Sequence, residues 1–412
     1  MADEPTTSEH KLADVVALLT SAPHRLMFLA GASAVLVSMA WWAMTWSASY
    51  FGWLGWPSAP VPAGWAHAVF AQYGMFGPFI LGFLLTVFPR WQDRPSVPRK
   101  QYLAVFGGVF GGYLLAHVGL LGIRPLLIAG LGLMLFGWAV ALAALSTAFT
   151  AKRDKHVISC YVALVFALIG LGAFLAFVLG APWQLANFSI KIGTFGFLLP
   201  VFFTVSHRLI PFFSANVVGS TYKSIRPLWS LPLLWVLLLA HLGAELTHHG
   251  AWLWLADLPL LLFFLGHWLV WRPWRCRRPS ILLVLYLAFA WLPVAFALYT
   301  IQSMVLWTHG DFVLGRAPVH ALTVGFLGSM LVAMVTRVTL GHSGRPLQMG
   351  VIPWVTFGLL QLVVVARIYA ELAPNTQLWL VVAAIGWLVA FLPWVLRSLS
   401  IYLTPRPDGK PG

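Results

Sequence analysis

The sequence is short of charge. Of its 412 residues only 9% are Asp, Glu, Lys or Arg, and just 11 of them are acidic. Soluble domains carry about 25% charged residues, so a soluble globular enzyme is excluded. Disorder is excluded for the opposite reason, since it requires few apolar residues and many charges. Here 60% of the residues are hydrophobic and the mean hydropathy is +0.86. Cysteine is nearly missing. Cys160 lies in an apolar run and Cys276 in a basic loop, so no disulfide is expected. Without a C-x-x-C-H string, covalent c-type haem is excluded. The apolar stretches do not alternate with period two, which argues against a porin-type barrel. No cleavable signal is expected at the start. Residues 1–25 are polar and partly acidic (Asp3, Glu4, Glu9, Asp14), and the apolar run that follows is long enough to span a bilayer.

What is present is a series of apolar runs of about 20 residues, the length of a transmembrane helix. Spans are expected over 27–49, 67–89, 102–121, 126–149, 157–180, 186–206, 229–248, 252–271, 280–302, 318–339, 351–371 and 377–397. The expected fold class is therefore all-α: a polytopic membrane protein of about twelve transmembrane helices. It divides into a cytoplasmic N-terminal segment (1–25), a single transmembrane domain (26–400) and a cytoplasmic tail (401–412).

The basic residues set the orientation. With the N-terminus in the cytoplasm, the inner segments hold 21 of the 25 Lys and Arg residues. Lys11, Lys152 and Lys410 are among them, as are the clusters Arg90, Arg94, Arg99, Lys100 and Arg272, Arg275, Arg277, Arg278. Only Arg124 and Arg316 fall in outer loops, while Lys191 and Arg367 lie near or inside spans. This bias places both termini in the cytoplasm and supports an even number of spans. The net charge of +14 is thus spread over loops that face membrane lipids, not gathered into a nucleic-acid patch.

Spans 2, 6 and 10 share a weak repeat: Gly74-Met75-Phe76-Gly77, Gly193-Thr194-Phe195-Gly196 and Gly325-Phe326-Leu327-Gly328. Each span carries a basic residue at its inner end, Arg90, Arg208 or Arg337. Small residues let helices approach closely, which is one reading. The other is three four-helix units. Their second helices would converge on the centre, where a bundle holds its cofactor ligands.

Thirteen histidines in so apolar a chain are functional candidates by default. His67 opens span 2 and His320 opens span 10, at depths that differ by only ~3 Å at the rise of a helix. Two imidazoles facing each other across a bundle can grip one non-covalent, b-type haem. The alternative is a pair of interfacial histidines solvated by headgroups. On span 7, His241, Glu245, His248 and His249 are spaced to share a helical face, and their ligand set suits copper, iron or zinc. Otherwise they mark a wet helix end. His117 is read as a packing residue, and His267 has no obvious partner.

An inner set comprises His24-Arg25, the string His207-Arg208-Leu209-Ile210-Pro211-Phe212-Phe213, and Arg337 through His342, Arg345 and Pro346. These read as helix ends with Gly and Pro turns. Arg208, Arg337, His342 and Arg345 could hold a haem propionate or a quinone-like ligand, and His207 a second metal. Equally, they could anchor anionic headgroups. The acids near spans, Glu245, Asp257, Asp311 and Glu371, all lie at outer ends. Their absence from the inner halves argues against a redox-driven proton pump and against a symporter with a midplane carboxylate.

Several strings resemble the NnrS family. They are Ala66-His67-Ala68, Gly82-Phe83-Leu84-Leu85-Thr86-Val87-Phe88-Pro89-Arg90-Trp91 and Arg208-Leu209-Ile210-Pro211-Phe212-Phe213. The fullest match is His320-Ala321-Leu322-Thr323-Val324-Gly325 through Arg337-Val338-Thr339-Leu340-Gly341-His342-Ser343-Gly344-Arg345-Pro346-Leu347. The resemblance implies a bacterial inner-membrane protein containing haem and copper, tied to nitric oxide metabolism, nitrosative stress and often denitrification. Nitric oxide or iron-nitrosyl species would be its partners. Two departures stand out. Ala68 replaces the acid that usually follows the first histidine, and His207-Arg208-Leu209 stands where Gly-Arg-Met is common.

A more distant likeness is to the haem-copper oxidase subunit, which also holds a bis-His haem on helices 2 and 10. His248-His249 is similar to the paired copper ligands of that group. Span 6 lacks an outer histidine and span 10 has one instead of two, so the binuclear centre is incomplete. The haem is carried over and the oxidase chemistry is not; whether the protein turns over nitric oxide is left open. The rivals are a secondary transporter without a redox cofactor, for which Lys191 and Arg367 are the candidate buried charges, and a scaffold whose glycines only pack helices.

Overall fold

The computed structural model describes residues 14–149 and 153–409. Lys11, Lys152 and Lys410 lie outside the described residues. The chain is a polytopic, all-helical membrane protein. Its helices in chain order are α1 (Pro23–Phe51), α2 (Ala63–Trp91), α3 (Arg99–Gly119), α4 (Arg124–Ser146), α5 (Lys155–Val178), α6 (Gln184–Val218), α7 (Ser230–Leu246), α8 (Gly250–Arg275), α9 (Ser280–His309), α10 (Ala317–His342), α11 (Val351–Tyr369) and α12 (Thr376–Tyr402). All but α7 meet the length and hydropathy of a membrane span, and α7 is apolar but 17 residues long. No strand occurs among the described residues.

The start of α1 meets the end of α12. Arg25 Nη1 donates to the carbonyls of Tyr402 (3.1 Å) and Thr404 (3.2 Å), so α1 and α12 start and finish on one side. That side is called the terminal face and the other the distal face. An even number of crossings follows.

Three helices form the centre. Buried residues make up 83% of the apolar core of α2 and 78% of those of α6 and α10, against 67% for α1 and less elsewhere. The three are linked ring to ring, Phe76 to Phe202 at 5.8 Å and Phe202 to Phe326 at 6.1 Å. Toward the terminal face they wall, with α1, an apolar cavity of about 500 Å³ lined by Phe28, Phe79, Phe202 and Met330. The convergence of these helices agrees with the second reading of the glycine motifs. A division into three four-helix units does not follow from it.

The motifs have a further property that spacing alone did not disclose. Each overlaps a π-helical stretch: Phe70–Phe76 in α2, Gly193–Leu198 in α6 and Ala321–Gly328 in α10. Such stretches are rare and concentrate at functional sites. Here they bring side chains of one central helix against backbone of the next. Gln72 Nε2 donates to the Ile190 carbonyl (3.0 Å) and to Thr194 Oγ1 (2.8 Å), and Tyr73 donates to the Ser189 carbonyl (2.7 Å). A Cβ at Gly193 would strike Gln72 and Tyr73, and one at Gly325 would lie 2.7 Å from Trp291.

Helix α6 corrects an expectation. The string Arg208 to Phe213 is not a helix end, because α6 continues through Pro211 to Val218. Ser214 in this extension is hydrogen-bonded to Tyr286 (2.7 Å), so packing holds the helix together beyond the apolar run. In α10 the expected turn is real: it follows His342, with Gly344 at φ +65°. Cys160 and Cys276 are both buried and unpaired, as expected.

Candidate functional site

His67 and His320 line one cavity. It lies at the distal end of the centre and is walled by α1, α2, α10, α11 and α12. Both residues sit in the first turns of their helices, just after Pro62 and around Pro318, which fix where each helix starts. The remaining wall is mostly apolar: Met39, Met75, Phe76, Val324, Leu380 and Trp387 among others.

The two rings are held differently. His320 Nδ1 lies 2.8 Å from the Arg316 carbonyl. A carbonyl can only accept, so Nδ1 carries the proton and, in the neutral ring, Nε2 keeps its lone pair. This is the arrangement that orients a metal-ligating histidine. His67 is fixed by stacking on Trp42, with centroids 4.3 Å apart and planes 10° from parallel. Its Nδ1 is buried without a hydrogen-bond partner. One charged side chain, Arg367, also lines the cavity, and its Nη1 is paired with Glu371 at 2.6 Å.

The α7 group is not gathered on one face. The helix ends at Leu246, so His248 and His249 lie beyond it. Both are exposed, His248 has a left-handed backbone (φ +59°), and His249 bonds to Thr247 Oγ1 at 2.9 Å. His241 instead points inward. It is fully buried, its Nδ1 lies 2.6 Å from Asp257 Oδ1, and Tyr299 packs against its ring. Glu245 pairs with Lys191 at 2.8 Å. Among the described residues no three His, Cys, Asp or Glu side chains are clustered closely enough to hold a metal ion.

The inner set is divided among separate jobs, far from the His67/His320 cavity. His342 lies 22 positions along α10 from His320, roughly 33 Å at helical rise. Its ring packs on His24 at 4.1 Å. Arg345 donates to Thr404 (3.1 Å), and Arg337 sits 3.8 Å over the Phe213 ring. Arg208 lies 4.2 Å over Trp91 and donates to Asp154 at 2.7 Å. None of the four lines the distal cavity. The basic group there is Arg367.

His207 belongs to a chain that sequence reasoning missed. Asp154 caps α5 by accepting from the His156 backbone N–H (2.8 Å), and its Oδ1 also lies 3.3 Å from His156 Nδ1. His156 Nε2 lies 3.1 Å from His207 Nδ1, and His207 Nε2 is buried without a partner. The first carboxylate sets the order. It accepts from His156, which then accepts from His207. Asp154 is partly buried, which raises a carboxyl pKa. The hydrogen bonds from His156 and Arg208 outweigh that and hold it below its ordinary value. The visible signal was Asp154-Lys155-His156 at the head of an apolar run, the signature of a helix cap. His117 and His267 are packing residues tied to the carbonyl four positions back, His117 to Tyr113 (3.0 Å) and His267 to Phe263 (2.8 Å).

Taken together, the fold and this site define a class: a many-pass helical membrane protein with a paired-imidazole cavity in its central helices. Residues 18–406 match a family model, the NnrS protein. The chain therefore belongs to the NnrS family. No curated protein matches it.

Proposed function

We propose that this protein binds one b-type haem between His67 and His320 and serves in the handling of nitric oxide or in resistance to nitrosative stress. One observation carries the reading: two imidazoles from helices far apart in sequence border the same apolar cavity. The residues fit the group. His320 has its tautomer set by the Arg316 carbonyl, and His67 has a buried, unpartnered nitrogen. When bound, haem iron supplies a site for diatomic ligands and one-electron chemistry.

The chain's own residues do the rest. Trp42 fixes the plane of His67. Met39, Met75, Phe76 and Trp387 exclude water, which controls the potential of any bound iron. Arg367 offers positive charge to a carboxylate edge while Glu371 holds it in place. Copper is not carried into this reading, because His241, His248 and His249 are not brought together. Membership of the family supports the nitric oxide role. Together with the basic loops of the terminal face, it supports an inner-membrane protein with both termini in the cytoplasm. The two candidate charges of the transport reading, Lys191 and Arg367, are each paired with a glutamate.

The test is optical. Purified full-length protein is expected to show a haem absorption band that nitric oxide shifts. His67→Ala and His320→Ala are each expected to abolish or displace the band. An unchanged band in both variants overturns the assignment, as does a wild-type preparation without haem.

A further inference from the structure

A second cavity opens on the terminal face. It lies between the start of α1, the end of α2 and the loop into α3. Arg90, Arg94 and Arg99 stand around it, all three exposed. Its floor includes His24 and Tyr102, each only 4% exposed. No acidic side chain lines it. Among the described residues, none of the three arginines forms an ion pair. Tyr102 is spent on the Thr20 carbonyl (2.7 Å) and Arg99 Nη2 touches Thr20 Oγ1. His24 is not spent: its Nδ1 is buried with no hydrogen-bond partner.

Three guanidinium groups around one concavity repel one another, and each offers a planar fork of donors. A bound anion removes the repulsion and satisfies the forks, and a tetrahedral oxyanion with two charges suits them best. The wall is not purely polar. Leu85, Pro89, Val97 and Pro98 also line the space, leaving room for an organic group beside the charge.

We propose that this cavity binds a phosphate-bearing anion, held by Arg90, Arg94 and Arg99 with His24 at the floor. The inference is independent of the distal histidine pair. Two sources share this chemistry, an anionic phospholipid headgroup and a soluble phosphate compound. Basic pockets between helices on the inner side of a membrane are known to take the former.

The experiment uses the full-length protein with two readouts. Native mass spectrometry, on protein taken directly from membranes, looks for retained phosphatidylglycerol or cardiolipin. Thermal melting of delipidated protein is followed while pyrophosphate is added. The variants are R94Q/R99Q, R94K/R99K and Arg90→Gln, with R277Q/R278Q in another loop as the control. Affinity is expected to fall about tenfold for each charge-assisted contact removed, so about 100-fold in R94Q/R99Q. The lysine pair should recover part of it, and the control should match wild type. A lipid adduct lost in the pocket variants assigns a headgroup. Saturable stabilisation by pyrophosphate, lost in the same variants and without an adduct, assigns a soluble phosphate. No adduct and no stabilisation in wild type overturns the proposal, and so does an equal loss in the control. If R94Q/R99Q fails to fold, Arg90→Gln decides: a wild-type response in it overturns the proposal.

Discussion

The two ends of the bundle use histidine in opposite ways. At the distal end, His67 and His320 border an open cavity and are fixed from behind, one by Trp42 and one by a carbonyl. At the terminal end, histidines meet each other: His156 with His207 at 3.1 Å, and His24 with His342 ring to ring at 4.1 Å. The difference is what each imidazole has in front of it. An imidazole facing space can take a ligand, whereas one facing another imidazole builds structure or passes hydrogen-bond order along. Depth in the membrane and residue type do not separate these roles, but the neighbours do.

The sharpest way to break this comparison is to remove histidines at each end. His67→Ala or His320→Ala should remove or displace the haem band. His156→Ala and His207→Ala should leave it in place and lower the melting temperature, because each strands a buried partner at about 1–3 kcal/mol. Loss of the band from the terminal-face variants would dissolve the distinction.

A large structural effect is expected at Gly325. Gly325→Leu forces a side chain into Trp291 beside the π-helical stretch of α10. Overpacking of this kind costs roughly 1–3 kcal/mol. Because that stretch follows His320, the same variant should also broaden or shift the haem band. The comparison residue is Gly132, where an added Cβ meets open space, and Gly132→Ala should be neutral or slightly stabilising by thermal melt.

At the terminal end, Asp154→Ala removes the α5 cap and the Arg208 partner, at about 0.5–2 kcal/mol for the cap alone. The acid profile sharpens the point. The Asp154 carboxyl is depressed in the folded state, so its contribution is complete above its unfolded pKa of about 3.9. It is lost as the pH falls from there toward the native value. Asp154→Asn should flatten this acid-side loss of stability, measured as melting temperature against pH between about 5 and 2. The smallest effect is expected for Arg277→Gln, an exposed loop change worth within about 0.5 kcal/mol.

Much of the fold was legible because a bilayer imposes length. The expected span 280–302 begins where α9 begins, and 377–397 lies inside α12. Hydropathy failed where it had to, at the terminal end of α6. There the apolar run stops at the Ser206-His207-Arg208 string while the helix goes on. The ion pair to Asp154 and the Ser214–Tyr286 contact replace lipid as its partner. The His67/His320 pair was legible because depth along a helix can be counted. The α7 cluster was not. Its spacing presumed a helix that ends before His248, and no periodicity foretells where a short helix stops. The π-helical stretches were invisible for a related reason: glycine spacing shows that helices approach closely, not how the backbone turns are closed.

The clasp between Arg25 and the carbonyls of Tyr402 and Thr404 makes the order of the helices a matter of where the ribosome starts. The start of α1 and the end of α12 are already neighbours on one side, so a linker could join these two helices. New ends could then be cut between Val218 and Ser230, on that same side. Such a rearranged gene would still encode the same ring of contacts, with Lys223 and Arg226 near its first codons.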